Sequence, residues 1–169
     1  MILDKPTRIQ KIHQAFINKF SDGMMSIKPE KTDPKYAKKI ESWQLAFDFP
    51  QRLNLYVVDL ANTIVLAGKY NQNIPENDVK VTRDFTDDVL SVLHSDKFDH
   101  HMEIAKPDIP DDQHYDEKIK KWSTAFNFVK VLRDWAKDVE KEIDDKGGEI
   151  SYARYNTLIY TLILNFERT

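Results

Sequence analysis

YAKKIESWQLAFDFPQRL, residues 36–53, recurs further along the chain as YDEKIKKWSTAFNFVKVL, residues 115–132, with eight of 18 positions identical. Just before each copy, KFSDGMMSIKPE (19–30) matches KFDHHMEIAKPD (97–108) at five of 12 positions. Self-similarity at a nearly constant spacing indicates a repeated structural unit. We therefore predict a single domain, residues 1–169, made of two related units of roughly 78 residues, at about 5–82 and 83–169, with pseudo-two-fold character.

The shared segment has the spacing of an amphipathic helix, because Tyr36, Ile40, Trp43 and Phe47 are separated by steps of four, three and four residues. Similar steps recur nearly throughout, which predicts an all-α fold, a compact bundle of about six helices. The predicted elements are a helix over 9–20 closed by 21–23, a helix from 33–34 to 50, an apolar central helix over 51–70, an extended piece at 78–81, a helix capped by Thr82, an irregular connection at 95–111, a long helix over 112–144, and a last helix from Ser151 to about Arg168.

Composition excludes several classes of site. The chain has no cysteine, so it has neither disulfides nor thiolate metal ligands, and this suits a cytoplasmic protein. Its four glycines include no cluster that could cradle phosphates, apart from the Gly147-Gly148 pair after a long helix, where a helix stop is expected. The most apolar segments, 53–67 and 155–164, are shorter than the roughly 20 residues of a membrane span. We therefore expect a soluble protein without a cofactor, and the composition is compatible with a bacterial or phage accessory protein.

Four of the five histidines lie between residues 94 and 114, among many acidic residues. They are His94, His100, His101 and His114. Metal ligands on a helix need spacings of three or four residues, or must converge from facing helices. His100 and His101 are adjacent and point apart, and no histidine recurs at the matching position of the first unit. The pattern argues against a native metal site, and a metal-dependent hydrolase using this stretch is kept as the alternative function.

The charge of the two halves differs. Residues 1–82 carry 12 basic and nine acidic residues, and residues 83–169 carry 13 and 19, so the net charges are +3 and −6. Such asymmetry can select an electrostatically complementary partner. We predict a non-enzymatic interaction module, an adaptor, inhibitor or regulatory factor, that binds another protein through an acidic surface of the second unit. The candidate residues are Asp99, Glu103, Asp108, Asp111 and Asp112.

Other partners receive less support from the sequence. The chain is mildly acidic, which argues against nucleic acid, although the segment 28–39 carries five lysines that could contact phosphates. Exposed aromatics of the last helix, such as Tyr152, Tyr155 and Tyr160, would allow a homo-oligomer. The motifs of helical phosphohydrolases and nucleotide pyrophosphatases are missing, so the sequence leans away from an enzyme.

Overall fold

The computed structural model describes residues 5–51, 80–92, 95–109 and 113–168. Most of these residues are helical, and the predicted class is confirmed at that level. In chain order the elements are α1 (Lys5–Ala15), a π-helical segment (Phe16–Ser21), α2 (Asp22–Ser26), α3 (Tyr36–Gln51), β1 (Lys80–Thr82), α4 (Arg83–Val92), α5 (Ser95–Ile104), α6 (Tyr115–Asp145), β2 (Glu149–Ser151) and α7 (Tyr152–Glu167). The central helix at 51–70 lies outside the described residues beyond its first position, so the helix count stays a prediction.

Two predicted boundaries were wrong. The helix expected to close at residues 21–23 continues through the π-helical segment and α2 to Ser26. Gly23 is buried there, and a Cβ built on it would lie 3.1 Å from the carbonyl oxygen of Lys121, so this glycine permits close helix packing instead of ending the helix. The irregular connection expected at 95–111 is helical over Ser95–Ile104. Prolines restrict the residues at and just before their own positions, and Pro107 comes after that helix has ended.

The chain ends of the longest helix follow the predicted turn chemistry. Gly147 and Gly148 both have positive φ, 89° and 114°, which stops α6. The side chain of Ser151 accepts a hydrogen bond from the backbone N–H of Arg154 and caps α7. The extended piece expected near 78–81 is β1, and it pairs antiparallel with β2 in the register Val81↔Ile150. The β2 strand was not predicted, because three residues carry too little pattern.

Aromatic side chains fill the core between the helices. Phe20 is fully buried and lies 5.9 Å from Phe47, 6.3 Å from Phe98 and 6.1 Å from Phe128, measured between ring centroids. Phe128 in turn stacks on Phe166 of α7 at 4.6 Å. Fully burying a side chain of this size contributes roughly 1.5–3 kcal/mol. The core therefore joins α3, α5, α6 and α7 around the π-helical segment.

Matched tryptophans occupy matched environments. Trp43 Nε1 donates a hydrogen bond to the carbonyl oxygen of Met24 at 2.8 Å, and Trp122 Nε1 donates to that of Met102 at 2.9 Å. Each indole therefore ties the long helix of its segment to the helix that precedes it. A buried indole N–H needs such a partner, so the repeated Trp is explained by packing and not by a ligand.

Candidate functional site

A cleft lies between the two loops that carry the repeated Lys-Pro-acid sequence. Its walls enclose roughly 460 Å³ of space that is partly open to solvent. Residues at matching positions of the two units face it from both sides, namely Ile27 and Ala105, Pro29 and Pro107, Glu30 and Asp108, and Lys39 and Lys118. The cleft is therefore a junction between the two loops, and its charged lining decides what it can do.

Lys39 is the buried centre of an ion-pair network at this junction. Only 6% of its side chain is exposed, and its ammonium pairs with Asp33 at 2.7 Å and with Asp108 across the cleft. Burial by itself would lower the pKa of Lys39, but hydrogen bonds to Asp108 and Asp33 outweigh burial and raise it. The hydrogen bond from Lys39 holds the pKa of both carboxyl groups below the ordinary value. All three groups are thus charged together near neutral pH.

A second ion pair crosses the cleft in the opposite direction. Lys118 Nζ lies 3.8 Å from a carboxylate oxygen of Glu30. Lys118 occupies the position that matches Lys39, and Glu30 the position that matches Asp108. The pair is more exposed than its counterpart, since 69% of the Glu30 side chain is accessible. Each segment therefore supplies a lysine to the acid of the other.

The outward side of α5 carries a stripe of three acids, Asp96, Asp99 and Glu103. At 3.6 residues per turn these positions fall within about 60° around the helix axis. They face away from the buried Phe98 and Met102. Asp96 and Glu103 are exposed, and Asp99 keeps 38% of its side chain accessible while pairing with the nearly buried Arg133 at 3.3 Å. This acidic stripe presents negative charge that the local structure neutralises only at Asp99.

The predicted acidic surface is divided by the structure. Glu103 and Asp99 lie together in the acidic stripe, whereas Asp108 lies on the cleft and pairs with Lys39 and, at 3.1 Å, with Lys35. Asp111 and Asp112 lie outside the described residues. Asp108 therefore has a partner within the chain, and its charge contributes first to holding the two loops together.

The histidines of the second unit do not assemble into a metal-binding group in the described part of the chain. His100 and His101 are neighbours on α5, with ring centroids 5.6 Å apart, and His114 lies near Glu117 just before α6. Over the ranges that the structure describes, no three His, Asp or Glu side chains converge as metal ligands would. His94 lies outside those ranges, so the metal hypothesis rests on the other three.

His101 is the most constrained histidine of this group. Its Nδ1 atom is buried and has no hydrogen-bond partner among the described residues. Burial, and then the neighbouring His100, lower its pKa below the ordinary value, while Glu41 acts in the opposite direction. A neutral, partly buried imidazole is therefore expected at neutral pH.

Lysines gather on the side of the cleft next to Pro107. Four of them line a shallow depression there, Lys35, Lys38, Lys39 and Lys106. The charge of Lys39 is engaged by Asp33 and Asp108, and the ammonium of Lys106 lies 4.8 Å from the ring centre of Trp122. The first unit repeats the latter contact, with Lys28 5.4 Å from the Trp43 ring. Part of the lysine-rich segment 28–39 thus packs on the protein's own groups.

Sequence reasoning missed the ion pairs across the cleft. It matched Lys39 with Lys118 and Glu30 with Asp108, but it took each acid as a surface group. The conservation of opposite charges between the two copies was the available signal, because a lysine and an acid repeated in both units can exchange partners. Asp96 was also missed, since the segment that carries it was expected to be irregular.

Comparisons with known proteins give no relative for this chain: no family model, curated protein or solved structure matches it. Among the helices that the structure describes, none has both the length and the apolarity needed to cross a membrane.

Proposed function

We propose that this protein is a non-enzymatic helical interaction module, an adaptor, inhibitor or regulatory factor, that binds a basic surface of another protein through the acidic stripe of its second unit. The observation that carries the proposal is the stripe itself, Asp96, Asp99 and Glu103 on one exposed side of α5. Asp99 is anchored by Arg133, which fixes the helix beneath the two more exposed acids. Complementary charge at such a surface raises the association rate and excludes wrong partners.

The first unit offers a built-in comparison. The positions that match Asp96, Asp99 and Glu103 are Asn18, Ser21 and Met25, none of which is acidic. The exposure follows the same order in both units, with the outer two residues exposed and the middle one half-buried. Two related surfaces thus differ mainly in charge, and we expect one basic partner per chain at the second unit.

The proposal includes the duplication of a unit of roughly 78 residues. The helical stretch from Lys5 to Ser26 and the one from Arg83 to Ile104 have bounds that differ by the same 78 residues. The next helices begin at Tyr36 and Tyr115, which the sequence match pairs. Equal bounds and the equal Trp hydrogen bonds support a repeated unit.

Binding can be tested with the full chain immobilised as bait and lysate of the source cells as prey. Replacing Asp96→Asn and Glu103→Gln should reduce capture of the partner about tenfold, which corresponds to about 1.4 kcal/mol. Capture by the native chain should also weaken as salt is raised, since exposed charges are screened. Asp99 is left in place because its pair with Arg133 supports the fold.

The matched control is Asp134→Asn with Asp138→Asn, which removes the same charge from an exposed face of α6. Equal loss of capture in this control would show a response to net charge alone and would contradict the proposal. The reverse variant, Asn18→Asp with Met25→Glu, recreates two of the acids on the first unit and should allow a second partner molecule to bind.

The alternative, a metal-dependent hydrolase, is tested separately by native mass spectrometry of untagged protein. Stoichiometric metal, lost in His100→Ala and His101→Ala, would favour it. A metal-free mass would leave the interaction module as the function to pursue.

A further inference from the structure

The centre of the contact between the two units is a residue meeting its own counterpart. Phe20 and Phe98 stand 78 residues apart and occupy matching positions of the repeated segments. Both side chains are fully buried, and their ring centroids lie 6.3 Å apart. In a two-fold interface, a residue near the axis contacts its own copy. Phe20 and Phe98 therefore mark the position of such an axis.

The contacts on either side of these rings are reciprocal. Helix α2 packs against α6, and the matching helix α5 packs against α3. The two ion pairs repeat this exchange, because Lys39 reaches Asp108 in one direction and Lys118 reaches Glu30 in the other. Exchange of this kind defines an isologous interface, in which one surface is complementary to itself.

We propose that this self-complementary interface accepts the matching half of a second copy of this chain, so that two chains form a dimer by exchanging their halves. The occupant is identified by complementarity. The half that contains Phe20, Glu30 and Lys39 would meet in a second chain the same rings and charges that it meets in its own. Exchange of an identical element costs little energy, because the contacts of the closed monomer are replaced one for one.

The first test uses the unaltered full chain, unfolded in urea and refolded at several protein concentrations. Light scattering after size-exclusion chromatography should detect a dimer, with a ratio of dimer to monomer that rises about tenfold for a tenfold rise in concentration, as mass action requires. Joint refolding of isotope-labelled and unlabelled chains should give mixed dimers by native mass spectrometry. Monomer alone at every concentration would overturn the proposal.

The second test locates the exchanged surface. One preparation carries Glu30→Lys and the other Lys118→Glu, so each chain alone brings like charges together at this pair. In a mixed exchanged dimer, one interface keeps the native pair and the other carries the pair with reversed charges. Mixed dimers should therefore exceed the statistical proportion. A statistical proportion of mixed dimers would contradict the exchange of these halves.

The control pair is Glu142→Lys and Lys146→Glu, which also lie 3.8 Å apart but within α6. Because both residues belong to one helix, their pairing stays inside one chain in either arrangement, and mixed dimers should remain statistical. An excess of mixed dimers in the control, equal to that of Glu30→Lys with Lys118→Glu, would refute the assignment to the cleft. The result is independent of partner capture by the acidic stripe, so failure of one proposal leaves the other measurable.

Discussion

Replacing Lys39 by methionine tests whether the cleft is held together by a buried cation. The substitution keeps the volume of the side chain and removes its charge, which leaves the carboxylates of Asp33 and Asp108 close together without their shared partner. Removing one member of a buried ion pair costs about 3–5 kcal/mol. Because 41% of the Asp108 side chain is accessible and water can replace part of the lost interaction, we expect a loss of about 3 kcal/mol in the free energy of unfolding at neutral pH.

The pH dependence of this loss provides an independent check. The pKa values of Asp33 and Asp108 are lowered in the folded chain, so the stability that these carboxylates contribute is present above their unfolded pKa of about 3.9 and is lost as pH falls through the lower folded values. Native protein and Lys39→Met should therefore converge in stability at strongly acidic pH. The raised pKa of Lys39 has the opposite sense, since its contribution is present below the ordinary lysine pKa of about 10.4 and is lost as pH rises through the folded value.

The assay is urea unfolding followed by circular dichroism, at neutral pH and in steps down to about pH 2. Lys35→Met is the matched control, because Lys35 also pairs with Asp108 but 69% of its side chain is exposed, and its loss should cost at most about 1 kcal/mol. The reasoning is refuted if the two variants lose the same stability, or if the loss in Lys39→Met is the same at every pH.

Three further predictions concern packing and protonation. Gly23→Ala should lower the free energy of unfolding by about 1–3 kcal/mol, measured in urea, because the new methyl group would meet the carbonyl oxygen of Lys121 at 3.1 Å; an unchanged midpoint would contradict close packing there. Trp43→Phe and Trp122→Phe should each destabilise the protein in thermal melts by similar amounts of about 1–2 kcal/mol, since each removes one buried hydrogen bond to a carbonyl oxygen, and a large inequality would argue against equivalent environments. Because the pKa of His101 is lowered, the folded chain binds its proton less readily than the unfolded chain does, so stability should fall as pH drops from about 6.5 through the folded value; His101→Gln should remove this part of the slope in pH-dependent melts.

The acidic surface illustrates how far local sequence can predict a site. Charge counting identified the second unit as acidic, and Glu103 and Asp99 do lie together on the outward side of α5. Asp108 was grouped with them because it is close in sequence, yet the structure pairs it with Lys39, which comes from the other unit. Whether an acid is available to a partner depends on which cation folds against it, and that cation can be anywhere in the chain.

Local patterns by themselves determined the helical class, the long helix α6 and its glycine stop, the Ser151 cap and the match between the two segments. These features depend on the period of apolar residues and on turn chemistry, which act over a few neighbouring residues. Only the tertiary structure decided that Phe20 meets Phe98, that β1 pairs with β2, and that the lysine of each segment reaches the acid of the other. The physical reason is that these contacts join residues far apart in sequence, and they form only when burial of the aromatic core brings the two segments together.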